Sequence, residues 1–483
     1  MKKNTKIILA VLAGVALLGS IVFGCLKYRE YYNATYILID DVRYNRDVTS
    51  LDLSGYPIVE AEKLTELTAL ESLDLRDTGI TAEQFDTISA ALPHCAISWS
   101  VPFQDGFVSQ DTSELILTTI QMDDLDALAY LPRLTAVKVQ TLSDYTVVSE
   151  MQSRYPYVTF VYTVDVNGKL YSSTATSMNL TDITAQELWD KLPYLPEVTS
   201  VKITGKTPPV EEMMALRKAY EQIIFSYNFE VFGVIANSTD EFLDLSEIQI
   251  TDPAEVDAIV PLFYNLTKVD MLHCGISNEE MEALNNRHPN TLFVWSIKIR
   301  WMEFRTDITE FMPVKYGMWV NNYSCRDLRY FTELIALDLG HMEISRCDFV
   351  AYMPKLKYLI LADTELADLT PLTGLTNLVF LELFICPFKD YTPLTTLTGL
   401  EDLNIAYTYG DPSVITQMTW LKRLWFAQTS GVAMSEAQRQ AIRDALPNTE
   451  FDFHSKSATG GGWRFGQHYY DMRDIFGMKY MFS

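Results

Sequence analysis

The sequence predicts an α/β solenoid behind one N-terminal transmembrane helix, with a curved parallel sheet on its concave side and short helices and loops on its convex side. Three observations predict it. A charge-free apolar stretch lies near the N-terminus, three apolar columns recur every 21 or 22 residues, and an aromatic strand motif returns about every 65 residues. At 483 residues the chain exceeds one rounded core, so it must split or grow by stacking. Apolar content of 48% and charge of 21% are those of a chain folded almost throughout.

Residues Ile7 to Leu26 carry no charge. As a helix this stretch is about 30 Å long, the thickness of a bilayer core. Lys2, Lys3 and Lys6 precede it, which places residues 1–6 in the cytoplasm and the bulk of the chain outside, although Lys27 and Arg29 weaken the bias. No small-x-small cleavage site of the usual kind follows. The alternative is a lipoprotein signal, because Val22-Phe23-Gly24-Cys25 resembles a lipobox with Phe23 out of pattern; Cys25 would then carry the lipid. Residues 27–46 read as a juxtamembrane linker, 47–454 as the solenoid, most regular at 330–430, and 455–483 as an aromatic tail.

The repeat is clearest from Leu334. Leu334, Leu356, Leu378, Leu400 and Leu421 form one column. Leu337, Leu359, Leu381, Leu403 and Leu424 form a second, and Leu339, Leu361, Leu383, Ile405 and Phe426 a third. Each unit thus reads L-x-x-L-x-L, its alternating end a short strand with leucines inward. One unit cannot bury its own apolar face, whereas stacked units share a continuous leucine ladder. The same grammar holds earlier: Leu51 and Leu53 match Leu73 and Leu75, and Val137, Val201 and Val269 mark further strands.

The rarer motif sets apolar residues four, six and eight positions after a proline. Examples are Pro93 with Ile97, Trp99 and Val101, Pro156 with Phe160, Tyr162 and Val164, and Pro289 with Phe293, Trp295 and Ile297. Phe225, Tyr227 and Phe229 fit without the proline. These read as longer strands in wider coils, each followed by a looser stretch such as 165–176. Helical spacing over Ala82 to Leu92 and Ser277 to Asn286 places helices before two of them. The tail, with Gly460-Gly461-Gly462-Trp463 and Tyr469-Tyr470, reads either as a cap folded back over exposed apolar surface or as a docking segment.

These columns resemble the leucine-rich-repeat family, in the 22-residue class of internalin-like bacterial surface proteins. Leu366-Ala367-Asp368-Leu369-Thr370-Pro371-Leu372 and Lys389-Asp390-Tyr391-Thr392-Pro393-Leu394 look like that class's convex connection. The slot that often holds Asn carries Met342, Thr364, Cys386, Thr408 and Thr429. Thr and Cys can still donate to loop carbonyls. The resemblance implies a bacterial surface protein that binds a partner on its concave face.

A net charge of −25 opposes nucleic-acid binding, which needs clustered cations. The cysteines lack metal-ligand spacing, the six histidines are scattered, and nucleophile-elbow, zincin, phosphate-loop and dinucleotide motifs are missing, so no metal, no cofactor and no enzyme is expected. His273 and Cys274 are adjacent, but neighbours on a strand face opposite ways. Cys325 and Cys347 share a column about 5 Å apart between coils, where either a disulfide or an unreactive pair fits.

Strand positions facing away from the leucines give the candidate binding patch: Tyr358, Ile360, Phe380 and Phe384, bordered by Glu382, Asp402, Arg423 and Trp425. An open patch predicts that changing Tyr358 and Phe380 to Ser removes ligand capture at little cost in stability; a patch covered by a loop or by the tail predicts the reverse. The expected function is non-catalytic binding of a protein or glycan partner at the cell surface. The alternatives are a structural or regulatory subunit of a membrane complex and a hydrolase with an unrecognised site.

Overall fold

The computed structural model describes residues 2–427 and 434–478. Two compact units result, Met1–Ser226 and Tyr227–Ser483.

The first unit begins with a helix, Lys2–Thr35. From Ile7 it is long and apolar enough to cross a membrane, and its side chains from Ile7 to Tyr31 are exposed. It runs directly into a hairpin, Tyr36–Ile39 with Val42–Asn45, where the sequence suggests a linker. Three parallel strands follow, Ser50–Asp52, Ser72–Leu75 and Ala96–Phe103. The third overshoots its neighbours and folds back with Gly106–Ser109. Strands Glu114–Leu117, Ala136–Val139 and Thr159–Val166 repeat the arrangement and close with Lys169–Ser172. Ser177–Thr181, Ser200–Thr204 and Ile224–Ser226 make a third parallel set.

The second unit opens on the hairpin Asn228–Val231 with Val234–Asn237. Parallel strands Phe242–Asp244, Lys268–Asp270 and Leu292–Val294 follow, then the hairpin Ser296–Ile299 with Met302–Arg305. The looser stretches expected after the aromatic strands are therefore hairpin returns. All five hairpins have two-residue turns, beginning at Asp40, Gln104, Asn167, Phe232 and Arg300, and in each the next parallel strand starts ten residues later. Trp99 and Tyr162 sit on the overshooting strands, Tyr227 and Trp295 are each the single residue between a parallel strand and the hairpin strand after it, and all four are buried.

The remaining seven strands form one parallel sheet: Glu310–Phe311, Ala336–Asp338, Tyr358–Ile360, Phe380–Glu382, Asp402–Asn404, Arg423–Trp425 and Glu450–Asp452. Leu337, Leu359, Leu381, Leu403 and Leu424 pair in register, so the sequence columns are the structural ones. All five are fully buried. On the convex side, single 3-10 turns such as Thr370–Leu372 and Thr392–Thr396 begin with proline near their first position, where its missing N–H costs nothing. The helices expected at 82 and 277 run Ala82–Ala91 and Asn278–Arg287, each started by a reciprocal capping box from Thr81 or Ser277.

Three residues after four of these strands the chain turns through a left-handed residue: His341, Asp363, Ile385 and Tyr407 have φ of 53° to 63°. The next residue fills the Asn slot. Thr364 donates to Leu361 O at 2.8 Å, Cys386 to Leu361 O at 3.2 Å and Thr408 to Ile405 O at 2.7 Å. Thr and Cys thus tie the turn as expected, while Thr429 lies outside the described residues. A left-handed conformation is costly for a β-branched side chain. Ile385→Asn should therefore raise stability by about 1 kcal/mol, whereas Leu381→Ala in the ladder should lower it by about 2–5 kcal/mol. Guanidinium unfolding in detergent checks both signs.

Candidate functional site

The predicted patch assembles as the columns require. Ala336, Tyr358, Phe380, Asp402 and Arg423 pair in one row, and Asp338, Ile360, Glu382, Asn404 and Trp425 in the next. It is not open. Tyr358, Ile360 and Phe384 are 6–7% exposed, and Phe380, Glu382, Asp402 and Trp425 at most 2%. The cover is the chain's own C-terminal segment. Trp463, Tyr469, Met472 and Phe476 join Tyr358, Ile360, Phe380, Phe384 and Trp425 in one buried apolar cluster.

The segment is held through its main chain. Tyr407 donates to Ser455 O at 3.0 Å, Asn404 to Ala458 O at 2.8 Å and Trp425 Nε1 to Gly460 O at 2.8 Å. Arg423 Nη2 reaches both Gly462 O and Trp463 O at 3.0 Å, while its Nη1 pairs with Asp402 at 3.2 Å. Trp463 then enters the sheet face, its ring 5.3 Å from Phe380 and 5.2 Å from Trp425, and its indole N–H donates to Glu382 Oε1 at 2.5 Å. The helix Gln467–Ile475 completes the cover, with His468 bonded to Glu401 at 2.8 Å. Changing Tyr358 and Phe380 to Ser would now remove packing beneath Trp463 and Tyr469, so that pair belongs to the covered patch and destabilises the chain.

The tail leaves a cavity of about 210 Å³ against the sheet, lined by Asp338, Glu382, His341, Arg464 and Arg473 among mostly apolar neighbours. Burial pushes the Glu382 carboxyl up to about 7 and Asp338 up to about 6. Burial also raises Asp402, opposed by the Arg423 guanidinium beside it. Arg464 Nε, buried here, has no hydrogen-bond partner among the described residues.

The other sequence candidates lie apart. Cys25 is exposed on the N-terminal helix. Cys325 and Cys347 are both buried with free thiols on the convex side, and burial raises both thiols to about 12. Cys274 points inward to Leu245 O at 3.1 Å and His273 points outward between Glu247 and Glu303; both lie in the turn after strand Lys268–Asp270, where His273 has φ 59°, and not on the strand itself. No group of three or more His, Cys, Asp or Glu is placed to hold a metal among the described residues.

The raised carboxyls set a sign. A carboxyl whose folded value exceeds its unfolded one favours the folded form most when protonated, and that advantage is lost as pH rises through the folded value. Glu382 and Asp338 therefore hold the tail most firmly near pH 4 to 5, with seating weakening toward pH 7 and above. Exchange protection of amides 467–475, corrected for the intrinsic rate, should fall from pH 5 to pH 8. The pair Glu382→Gln and Asp338→Asn should flatten the trend, and a trend left intact would assign it to other groups.

No family model matches the chain, and no curated protein does. Among solved structures, internalin C2 of Listeria monocytogenes is 21% identical over 28% of this chain and 70% of its own, with a TM-score of 0.21. Another internalin of that species, InlF, is 14% identical over 86% and 91%, with a TM-score of 0.24. A leucine-rich-repeat protein of Leptospira interrogans is 16% identical over 84% and 90%, with a TM-score of 0.28. The fold rests on the chain's own geometry, in which short parallel strands pair at a step of 21 or 22 residues over a continuous leucine ladder. By that geometry the chain has the fold of a leucine-rich-repeat solenoid.

Proposed function

We propose that the chain is a non-catalytic binding protein, tethered to a cell membrane by the helix beginning at Ile7, that offers the concave face of its repeat sheets to a protein or glycan on the outer side. One observation carries the reading: the row positions facing away from the leucines converge on a surface of aromatic and hydrogen-bonding side chains that already holds a polypeptide. The charge-free helix and the lysines before it support the tether and its direction.

The concave rows differ in character between units. In the first they are exposed and mostly polar, with Ser177, Asn179 and Thr181 beside Ser200, Lys202 and Thr204. Such rows favour a polar partner surface or a glycan. In the second unit the aromatic rows are occupied by the tail.

Alkaline carbonate extraction should leave the chain in the membrane fraction, and deletion of residues 2–35 should release it. Cys25→Ala should change nothing; release by that substitution would replace the helical anchor with a lipid. Photo-cross-linking from Asn179 or Lys202 on intact cells should trap a partner supplied from outside. Capture only of proteins of the same membrane would favour a subunit of a membrane complex instead.

A further inference from the structure

The contacts beneath the tail divide into two kinds. One kind is indifferent to sequence: Tyr407, Asn404, Trp425 and Arg423 donate to five main-chain carbonyls between Ser455 and Trp463. Any segment that follows the same path presents such carbonyls. The other kind is selective. Trp463 is fully buried between Phe380 and Trp425, with Glu382 as acceptor for its indole N–H and Arg423 stacked 5.0 Å from its ring. Gly461 has φ +62°, and a Cβ there would run into the Asp452 carboxylate; one at Gly466 would run into the Arg423 guanidinium. Main-chain capture with a side-chain pocket at one position is how a groove reads a peptide, here one that turns through Gly461 and Gly462 into a 3-10 turn at Trp463–Phe465.

The polarity of the contact points the same way. A surface covered once and permanently is best made apolar, because buried ionic groups lose more in desolvation than they regain. Here Glu382, Asp402 and Arg423 lie under the tail, and Arg464 Nε is buried without a hydrogen-bond partner among the described residues. Charged and hydrogen-bonding groups of this kind can be re-solvated when an occupant leaves.

The geometry points to a peptide-recognition groove across strands 380–382, 402–404 and 423–425, whose ligand is a protein segment that turns through glycines into a tryptophan, and whose resident occupant is the chain's own tail. Partner binding and tail seating are mutually exclusive. The inference rests on the concave-face reading above and names the partner class for its second unit.

The probe is a labelled synthetic peptide of residues 455–478, with a second peptide carrying Trp463→Ala. The receptor is the full chain in detergent, wild type or Trp463→Ala. In the wild type, the tethered tail competes at an effective concentration of order millimolar. The Trp463→Ala chain should therefore take up the wild-type peptide at least tenfold more tightly than the wild-type chain does, and should ignore the Trp463→Ala peptide. Dimers formed by exchange of tails would support the same recognition in trans. A Trp463→Ala chain that keeps its unfolding transition yet binds neither peptide, or both equally, overturns the groove and leaves the tail a fixed cap. Should that variant not fold, a protease site placed between Ser455 and Gly460 gives a nicked wild-type chain. Replacement of its cut tail by labelled peptide supports the inference, and a tail that never exchanges overturns it. Failure here with an outside partner still captured through Asn179 or Lys202 removes only this inference; absence of any partner removes the function reading itself.

Discussion

A single repeat cannot bury its own leucines, and the rest of the structure follows from that. Leu337, Leu359, Leu381, Leu403 and Leu424 become a core only when their strands lie side by side in register. Stacking fixes the step along the chain, and the step fixes which side chains share a row on the opposite face. Phe380 thus lies beside Tyr358 and Asp402 because the leucines beneath them pair. The concave surface is a by-product of core formation, and selection acts on residues whose positions the core has already decided.

This explains what the sequence discloses. The rows around Glu382 are legible because a constant step of 21 or 22 residues leaves no freedom of register, and the Asn-slot residues Thr364, Cys386 and Thr408 are legible for the same reason. The hairpins are legible in part. Asn167-Gly168 is a recognisable two-residue turn, whereas Phe232 and Arg300 adopt left-handed φ with side chains that give no such signal. The hairpin at Tyr36–Asn45 is hidden because it follows the apolar helix with no leucine unit before it to set a register.

The tail contact is illegible for a different reason. Glu382 and Trp463 are 81 residues apart, and no repeat relates them. The Gly460-Gly461-Gly462-Trp463 run signals an unusual backbone beside a large apolar group but not its destination. Four donor side chains serving five carbonyls, and one acceptor for the indole, are visible only once the rows are assembled. The repeat sets the composition of the patch but not whether it is open or covered, because occupancy depends on a segment outside the repeat.

Covalent attachment also constrains what an outside ligand must do. Strand Glu450–Asp452 ends a few residues before the first tail carbonyl that is captured, so the linker is short and the tail's effective concentration high. A free peptide matching the tail contact for contact would have to approach millimolar concentration to compete. A productive partner must therefore add contacts elsewhere on the chain, or be concentrated in the plane of the same membrane. Either condition suits a tethered receptor better than a diffusing one. The tail then acts as a threshold: isolated glycine-tryptophan segments are refused, and a partner that also engages another surface is admitted.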